Sequence, residues 1–253
     1  MACESPATQD PGNSPQPLWS VAPGGIEIGP GDLHLWRIRT PGAAQSPWGS
    51  DLEACLALLD TGQRERAGRL RLPEHRARWV RAQAGLRRIL ARYLRVSAHS
   101  LGFLRGPAGK PYLGPAQGLA GGTELTFNLT TTGDLALVAL SAGDPIGVDC
   151  EWVKPRSDLI GVARRMFTAA EVDRLEALAD GPRLSAFYRA WTRLEADAKW
   201  DGRGLFRPRS EGMAPPEAAN FSPESGYMAA VARGSLPPVE QWRCFDLDGV
   251  DPG

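Results

Sequence analysis

The chain has 253 residues, enough for one large domain or two small ones with a hydrophobic core. Its apolar share of 42% and charged share of 23% are those of an ordinary globular protein, and 29 basic residues balance 29 acidic ones. The net charge of zero argues against general nucleic-acid binding, and no apolar run approaches the roughly 20 residues of a membrane span.

The first elements follow a polar start. Residues 1–30 are rich in Pro, Gly, Ser and Gln and predict a disordered or loosely attached tail. Residues 33–38 alternate apolar and polar side chains, which predicts a half-buried strand. Helices are predicted over 52–59 and 73–94, the second with apolar residues at helical spacing and Pro73 in its first turn.

Arginine is concentrated around the second helix. Eleven of the 26 arginines lie between Arg64 and Arg95. The segment should therefore carry a strong positive potential. Composition alone leaves two interpretations open, a solvated helix face or an anion-binding surface.

The middle of the chain predicts three strands. A glycine-rich stretch over 102–122 is followed by a strand over 125–129, a turn over 130–134 and a buried strand over 135–140. Asp144-Pro145 then turns the chain into a strand that contains alternating carboxylates.

The last part predicts helices and closing strands. Thr168 and Glu171 form a capping box for a helix to residue 178, which Gly181-Pro182 would end. A further helix spans 184–200, with Phe187, Trp191, Leu194 and Ala198 on its core face, and closing strands follow over 226–232 and 241–245. The pattern predicts an α+β fold with mainly antiparallel strands.

Four ionisable residues stand out. Asp149 and Glu151 alternate on their strand and should project side by side, while Val148 and Cys150 face inward. Glu195 and Lys199 are four residues apart and share one helix face. Three carboxylates and one ammonium suit Mg²⁺ bound with a phosphate-bearing substrate.

The cysteines indicate a reducing compartment. Cys3, Cys55, Cys150 and Cys244 are scattered and form no Cys-x-x-Cys pair, which argues against a disulfide framework or a zinc site. No signal-peptide pattern begins the chain. We therefore expect a cytoplasmic protein.

The chain resembles the Sfp-type 4′-phosphopantetheinyl transferases. In order, that family carries a Gly-Lys-Pro turn, a Phe-Asn-(Ile/Leu)-Ser-His-Ser segment, a Gly-(Ile/Val)-Asp-x-Glu strand and a Trp-(Ser/Thr)-x-Lys-Glu-(Ala/Ser)-x-x-Lys helix. The matching segments here are Gly109-Lys110-Pro111, Phe127-Asn128-Leu129-Thr130-Thr131-Thr132, Gly147-Val148-Asp149-Cys150-Glu151 and the run from Trp191 to Lys199. The arginine-rich helix also looks like the family's.

The resemblance implies a pseudo-twofold pair of similar α+β halves, 31–143 and 144–253, with the active site in the cleft between them. It implies transfer of the phosphopantetheine arm of coenzyme A to a serine of an acyl or peptidyl carrier protein, by a monomer. Mg²⁺ would be held by Asp149, Glu151 and Glu195. Glu195 would also accept the serine proton, and Lys199 would contact phosphate.

The coenzyme would be bound in the cleft between the halves. The resemblance assigns this role to a set of six residues, Arg78, Lys110, Pro111, Asn128, Thr130 and Thr131. Taken singly, each cation has a plain alternative, because Arg78 or Lys110 could be a surface charge and Lys199 could pair with Glu195 within its helix.

Two positions depart from the family pattern. Thr131 stands where the family has a histidine that binds a coenzyme A phosphate, and Leu194 replaces the lysine before the helix glutamate. The departures keep open a diverged member without transferase activity that binds or acts on carrier-linked or other substrates in a specialised pathway. A generic Mg²⁺ phosphohydrolase is a third interpretation, but His34, His75 and His99 do not cluster in the sequence with the carboxylates.

Overall fold

The computed structural model describes residues 14–42, 51–115, 117–119 and 122–247. Its helices are α1 (Leu52–Ala57), α2 (Thr61–Arg69), α3 (Pro73–Leu94), α4 (Leu159–Met166), α5 (Ala169–Glu176) and α6 (Asp180–Asp201). Its strands are β1 (Trp19–Val21), β2 (His34–Arg39), β3 (Phe103–Arg105), β4 (Pro111–Leu113), β5 (Leu125–Thr132), β6 (Leu135–Ala142), β7 (Ile146–Trp152), β8 (Glu217–Phe221), β9 (Tyr227–Arg233) and β10 (Arg243–Asp246). The predicted α+β class is confirmed.

The strands form two main sheets. The first has the order β1-β10-β2-β6-β5, and the second has the order β7-β9-β8. A hairpin of β3 and β4 forms a separate two-stranded sheet. Most pairs are antiparallel, as predicted, but β10 runs parallel to both β1 and β2.

Side-chain alternation stacks these elements in layers. Trp36 and Val138 point from the first sheet towards α3, where they join Leu86 and Ile89 in one core. Their neighbours on the same strands, such as Leu35 and Leu137, join Val148 and Val231 of the second sheet in another core. Helix α6 covers the outer face of the second sheet, where Ala196 packs against Ala230 and Ala232.

The predicted N-terminal tail is too long. Strand β1 pairs with β10, and Ile26 and Ile28 are buried in the core under α3. These few apolar side chains bury enough surface to order a segment whose composition is otherwise that of a tail. Residues 1–13 lie outside the described residues.

The proposed boundary at 143/144 also has an exception. Strand β10 belongs by sequence to the second half, but it pairs with β2 of the first. This pairing joins residues about 200 apart, which no local pattern can indicate. The division into two similar halves stays a prediction.

Several local predictions need correction. Strand β5 continues through Thr132, because residues 130–132 stay paired with β6. The hydroxyl groups of Thr130 and Thr132 also donate to the carboxylates of Asp149 and Glu151 on β7. Gly181-Pro182 begins α6 rather than ending α5, since the first turn of a helix needs no amide donor from proline. Helices α2 and α4 and strand β8 were not predicted. The capping box of Thr168 and Glu171 is confirmed.

No helix in the described ranges is both long enough and apolar enough to cross a membrane.

Candidate active site

Strand β7 and helix α6 meet at unusually close range. A Cβ atom added to Gly147 would lie 2.0 Å from the Ala196 carbonyl oxygen and 2.5 Å from the Trp200 nitrogen. Any larger residue would force the helix away from the strand. Gly147 therefore brings the carboxylates of β7 next to Glu195 and Lys199 of α6.

Asp149 is the most enclosed carboxylate of this junction. Its residue is 3% exposed, and its Oδ1 accepts hydrogen bonds from Lys199 Nζ at 2.6 Å and Thr130 Oγ1 at 3.1 Å. Its Oδ2 is buried and has no hydrogen-bond partner among the described residues. A buried carboxylate oxygen of this kind is expected to receive a cation or a proton.

Lys199 joins the helix to the strand. Among the described residues, the ion pair of its ammonium group is with Asp149 rather than with Glu195. The alternative in which Lys199 only supports its own helix through Glu195 is therefore not what the structure shows.

Glu151 and Glu195 share an electrostatic environment. Burial raises the pKa of Glu151, and the charge of Asp149 raises it further, while the Thr132 hydroxyl and Lys199 oppose the change. Burial also raises the pKa of Glu195, with Lys199 lowering it and the two β7 carboxylates raising it. Carboxylates that repel one another in this way favour a proton or a cation between them.

The donor set fits Mg²⁺ in its chemistry. Asp149, Glu151 and Glu195 offer hard carboxylate oxygens, and Asp149 Oδ2 has no partner in the described part of the chain. Within the described ranges, no three His, Cys, Asp or Glu side chains already form a metal-holding cluster. Because Mg²⁺ usually keeps waters and substrate phosphates in its shell, it does not need a complete protein cage.

Alternate residues of β5 fasten the edge of the first sheet to β7. Asn128 Oδ1 accepts a hydrogen bond from the Val148 amide at 2.9 Å, and Thr132 Oγ1 accepts one from the Trp152 amide at 3.1 Å. Asn128 and Thr130, which the resemblance assigned to coenzyme A, are buried and hold β7. Thr132 was missed, although the alternation along β5 would have indicated it.

Lys110 also holds the junction. Its ammonium group donates to the carbonyl oxygens of Ile146 at 2.8 Å and Trp200 at 3.1 Å. Burial lowers the pKa of Lys110 to about 8, against the opposing charge of Asp201. In this structure Lys110 ties the start of β7 to the end of α6, and its ammonium group is engaged with carbonyl groups.

The remaining predicted coenzyme residues lie around Thr131. Pro111 and Thr131 line a cavity of about 510 Å³ between α3 and β5, with Trp79, Phe103 and other side chains. Thr131 is exposed because it points to the opposite side of β5 from Thr130. The structure therefore separates Thr131 and Pro111 from Asn128, Thr130 and Lys110.

Arginines that were not singled out line the same cavity. Arg66 and Arg105 face it, and the Arg66 guanidinium lies 5.5 Å from the ring centre of Trp79. The arginine-rich segment indicated Arg66, but nothing local indicated Arg105. Trp79 is partly buried, because it packs against the cluster that contains Leu59 and Ala67, and it also forms a wall of this cavity.

Arg78 lies beside a second, smaller cavity. That cavity, of about 290 Å³, is also lined by His75, Trp79 and Thr131. The Arg78 Nε donates to Asp134 Oδ1 at 2.7 Å, and about a third of the side chain is exposed. An anion in this cavity would compete with Asp134 for the guanidinium group.

Leu194 is not a core residue, contrary to the prediction. It is half-buried and lines a third cavity, together with Trp191. Because α6 is covered by sheet residues on only one face, the side chains of this turn face an open groove.

Comparisons with known proteins agree with the motif order. A family model described as the 4′-phosphopantetheinyl transferase superfamily matches residues 145–227. The chain is 35% identical over 190 residues to the 4′-phosphopantetheinyl transferase HetI of Nostoc sp., covering 75% of this chain and 77% of that protein. It is 34% identical over 149 residues to a putative 4′-phosphopantetheinyl transferase of Synechocystis sp., covering 59% of each.

A more distant relative carries the name used for the resemblance. The 4′-phosphopantetheinyl transferase Sfp of Bacillus subtilis is 25% identical over 156 residues, covering 62% of this chain and 66% of that protein. The matched superfamily region contains β7, α6 and all four residues of the acidic junction.

Proposed function

Because this chain belongs to the 4′-phosphopantetheinyl transferase superfamily, we propose that it transfers the 4′-phosphopantetheine arm of coenzyme A to a serine of an acyl or peptidyl carrier protein. The observation that carries the proposal is the junction in which Asp149 and Glu151 of β7 face Glu195 and Lys199 of α6. The cavity of about 510 Å³ that Pro111 and Thr131 line is on the opposite side of β5 from this junction.

The cavity suits the nucleotide end of coenzyme A. Its volume of about 510 Å³ and its aromatic side chains Trp79 and Phe103 can enclose an adenine ring. Arg66 and Arg105 would pair with phosphate oxygens. Thr131 would donate a hydroxyl hydrogen bond to a phosphate, and Pro111 would contact the base.

The junction supplies acid–base and electrostatic groups for the reaction. The carrier serine oxygen forms a bond to the phosphorus that bears the pantetheine arm, and the pyrophosphate bridge bond to that phosphorus breaks. The serine proton goes to Glu195, directly or through a water, because a carboxylate held beside the acceptor can serve as the general base. The leaving group is 3′,5′-adenosine bisphosphate, and Lys199 offsets the negative charge that develops on the pyrophosphate.

We include Mg²⁺ in the proposal on the fit of the donor set. Asp149, Glu151 and Glu195 would hold it, and when bound it would supply positive charge that stabilises the pyrophosphate during cleavage. Asp149 Oδ2, which is buried without a hydrogen-bond partner within the described ranges, supports this assignment.

The departures at Thr131 and Leu194 are compatible with transfer. Arg66 and Arg105 line the larger cavity beside Thr131, so this cavity keeps positive charge without the family's histidine. Leu194 faces a different cavity from the one that suits the nucleotide. These contacts favour an active enzyme over the diverged binding protein.

A mass shift tests the function. The protein is incubated with coenzyme A, Mg²⁺ and a panel of apo carrier proteins, and we expect at least one carrier to gain the mass of phosphopantetheine. Glu195→Gln should lower the rate about 100-fold or more, whereas Glu53→Gln, at an exposed position of α1, should match the wild type. If no carrier gains mass while a known transferase modifies the panel, the proposed function is wrong.

We also propose that the protein acts as a monomer in the cytoplasm. Cys55, Cys150 and Cys244 are buried free thiols, which suits a reducing compartment. Cys3 lies outside the described residues.

A further inference from the structure

Arg87 on α3 is buried although it carries a charge. Its side chain is fully enclosed, and a buried guanidinium group needs partners for its N–H donors. Its Nε donates to Gln63 Oε1 at 2.7 Å, and its Nη2 donates to Asp60 Oδ2 at 2.5 Å. Its Nη1 donates to the carbonyl oxygens of Ala98 and Leu101, each at 3.0 Å. The chemistry described above does not use this residue.

The partners of Arg87 belong to two walls of the cavity of about 510 Å³. Asp60 caps α2 and Gln63 lies in the first turn of that helix, and both residues line the cavity. On the other wall, Phe103 begins β3 and lines the cavity as well. The Arg87 guanidinium lies 5.1 Å from the ring centre of Phe103, and Leu101 comes two residues before it. Arg87 thus connects the start of α2 to the segment that enters β3.

The same two walls carry the arginines assigned to the coenzyme phosphates. Arg66 is three residues after Gln63 on α2, so the two side chains share a helix face. Arg105 is the last residue of β3, and both arginines line the cavity. The separation of Arg66 and Arg105 therefore depends on how α2 and β3 are held, and Arg87 contacts both elements.

Arg87 also affects the charge of the cavity. Asp60 is the one acid among the described residues that line it, and 45% of the Asp60 side chain is exposed. An unpaired carboxylate at this place would repel phosphate groups. Instead, its Oδ1 accepts from the Gln63 amide at 2.8 Å and its Oδ2 accepts from Arg87. Both oxygens are therefore engaged, and a guanidinium group offsets their charge.

We propose that Arg87 is a positioning residue for coenzyme A. It holds α2 and β3 at the separation that lets Arg66 and Arg105 contact the phosphate groups together, and it neutralises Asp60. The proposal rests on the proposed function, because it concerns the cavity assigned there to the nucleotide end. Arg87 itself touches neither the coenzyme nor the carrier protein.

Binding of 3′,5′-adenosine bisphosphate tests this role without any transfer step. This molecule is the nucleotide end of coenzyme A alone, and calorimetry measures its Kd. Arg87→Gln should raise the Kd about tenfold, because it releases both walls and leaves Asp60 unpaired. Arg87→Lys keeps the charge but loses the fork of donors, and it should raise the Kd about threefold. In the transfer assay, Arg87→Gln should raise the KM of coenzyme A and keep kcat within about twofold.

A second substitution separates charge from folding. Asn caps a helix about as well as Asp, so adding Asp60→Asn to Arg87→Gln should change the stability little. It should nevertheless lower the Kd about threefold relative to Arg87→Gln, since the repulsion of the phosphate groups is removed. A residue that only supports the fold would give no such recovery. Asp60→Asn alone, in which Arg87 is kept, should not raise the Kd.

Arg88→Gln is the matched control. Arg88 is the next residue of α3, is partly exposed, and lines none of the three cavities described above. Its substitution should leave the Kd unchanged, which separates the effect of Arg87 from the loss of any one positive charge. Circular dichroism shows whether each variant is folded at the temperature of the binding measurement.

The possible results separate this proposal from the proposed function. Transfer by the wild type, with an unchanged Kd in Arg87→Gln, overturns the positioning role and leaves the function intact. If Arg87→Gln does not fold, an unchanged Kd in Arg87→Lys overturns the role instead. Binding that Arg87→Gln weakens and the double variant recovers supports the role, even where a failed carrier panel overturns the function.

Two further results would contradict the positioning role. The first is the absence of bisphosphate binding by the wild type, in which case the carrier panel still decides the function. The second is a tenfold rise of the Kd in Asp60→Asn alone, which would mean that Asp60 contacts the nucleotide itself and is not merely neutralised by Arg87.

Discussion

On the acidic side of the candidate site, the charged groups are fixed by short bonds to neighbouring elements. Asp149 accepts hydrogen bonds from Lys199 and Thr130. Lys110 donates hydrogen bonds to carbonyl groups at the start of β7 and near the end of α6. On the cationic side, Arg66 and Arg105 are exposed and border an open cavity. Asp149 and Lys199 are thus fixed by contacts with other elements, whereas the two arginines assigned to coenzyme binding are exposed.

Because of this difference, the two sides of the site should tolerate substitutions to different degrees. The loss of one buried contact on the acidic side leaves polar groups unsatisfied and moves the others. The loss of one exposed cation removes a single, solvent-screened interaction. Substitutions on the two sides should therefore differ in size and in the kinetic constant that they change.

The largest effect is expected at Gly147. In Gly147→Ala the new methyl group would overlap the backbone of α6, 2.0 Å from the Ala196 oxygen. Overpacking against backbone should lower the free energy of unfolding by about 3 kcal/mol or more. Urea denaturation measures it.

Gly181 offers the control for Gly147. An added Cβ there meets no atom of the described residues within 4 Å, although Gly181 belongs to the same helix, α6. Gly181→Ala should leave stability unchanged or raise it by about 0.5–1 kcal/mol. Equal stability of Gly147→Ala and the wild type would contradict the close contact between β7 and α6.

The second effect is a pH dependence of stability that arises from His34 in the first sheet and not from the acidic junction. His34 is fully buried; its Nδ1 shares a hydrogen bond of 2.8 Å with the Tyr93 hydroxyl, and that hydroxyl accepts a hydrogen bond from Trp36 Nε1. Burial, with a contribution from Arg243, lowers the pKa of His34 from 6.5 to about 4. The folded state therefore binds fewer protons than the unfolded state between these pH values.

The free energy of unfolding should consequently decrease as the pH is lowered through that window. The His34 contribution is fully present above pH 6.5 and is lost as the pH falls towards 4, by about 3 kcal/mol. Urea denaturation at several pH values measures it, with His34→Phe as the comparison. The variant should lose this part of the pH dependence, and an unchanged slope would show that another group titrates.

The third effect distinguishes two roles of Lys110. As a link between β7 and α6, Lys110→Met should leave the carbonyl groups of Ile146 and Trp200 without their donor. It should lower kcat about tenfold and cost about 1–3 kcal/mol of stability. The preference for coenzyme A over its analogue without the 3′-phosphate should not change.

The phosphate-binding role makes the opposite prediction for Lys110. If the lysine contacts the 3′-phosphate, Lys110→Met should raise the KM of coenzyme A, keep kcat, and reduce the preference for the 3′-phosphate. Rates with both coenzymes, measured side by side for the variant and the wild type, decide between the roles.

The smallest effects are expected on the cationic side. Arg66→Gln and Arg105→Gln should each raise the KM of coenzyme A about threefold to tenfold, as for one exposed charged contact, with kcat nearly unchanged. The effect should shrink at high salt. Arg71→Gln, at an exposed position outside the described cavities, should match the wild type, and a large loss of kcat in either cavity variant would contradict the division of roles.

Local patterns predicted the elements that carry the acidic junction. The alternation of Asp149 and Glu151 and the four-residue spacing of Glu195 and Lys199 depend only on strand and helix periodicity. Both elements form where the periodicity predicts them, as β7 and α6. Helix α2 and strand β8 were missed because they lie in polar or loop-like sequence.

The partners of single side chains could not be predicted in this way. Lys110 donates to a carbonyl 36 residues away and to another 90 residues away, and such pairings arise only from the packing of complete elements. The same holds for Thr130 and Asn128, whose direction follows from the edge-to-edge approach of β5 and β7. A motif match identified these residues as functional without showing which way they face.

A crystal structure with coenzyme A and Mn²⁺ in place of Mg²⁺ tests the central claim most directly. The proposed site predicts the pyrophosphate beside Lys199 and an anomalous metal peak next to the carboxylates of Asp149, Glu151 and Glu195. It predicts the adenosine end in the larger cavity, which Pro111 and Thr131 line. A pyrophosphate and metal bound away from β7 and α6 would contradict it.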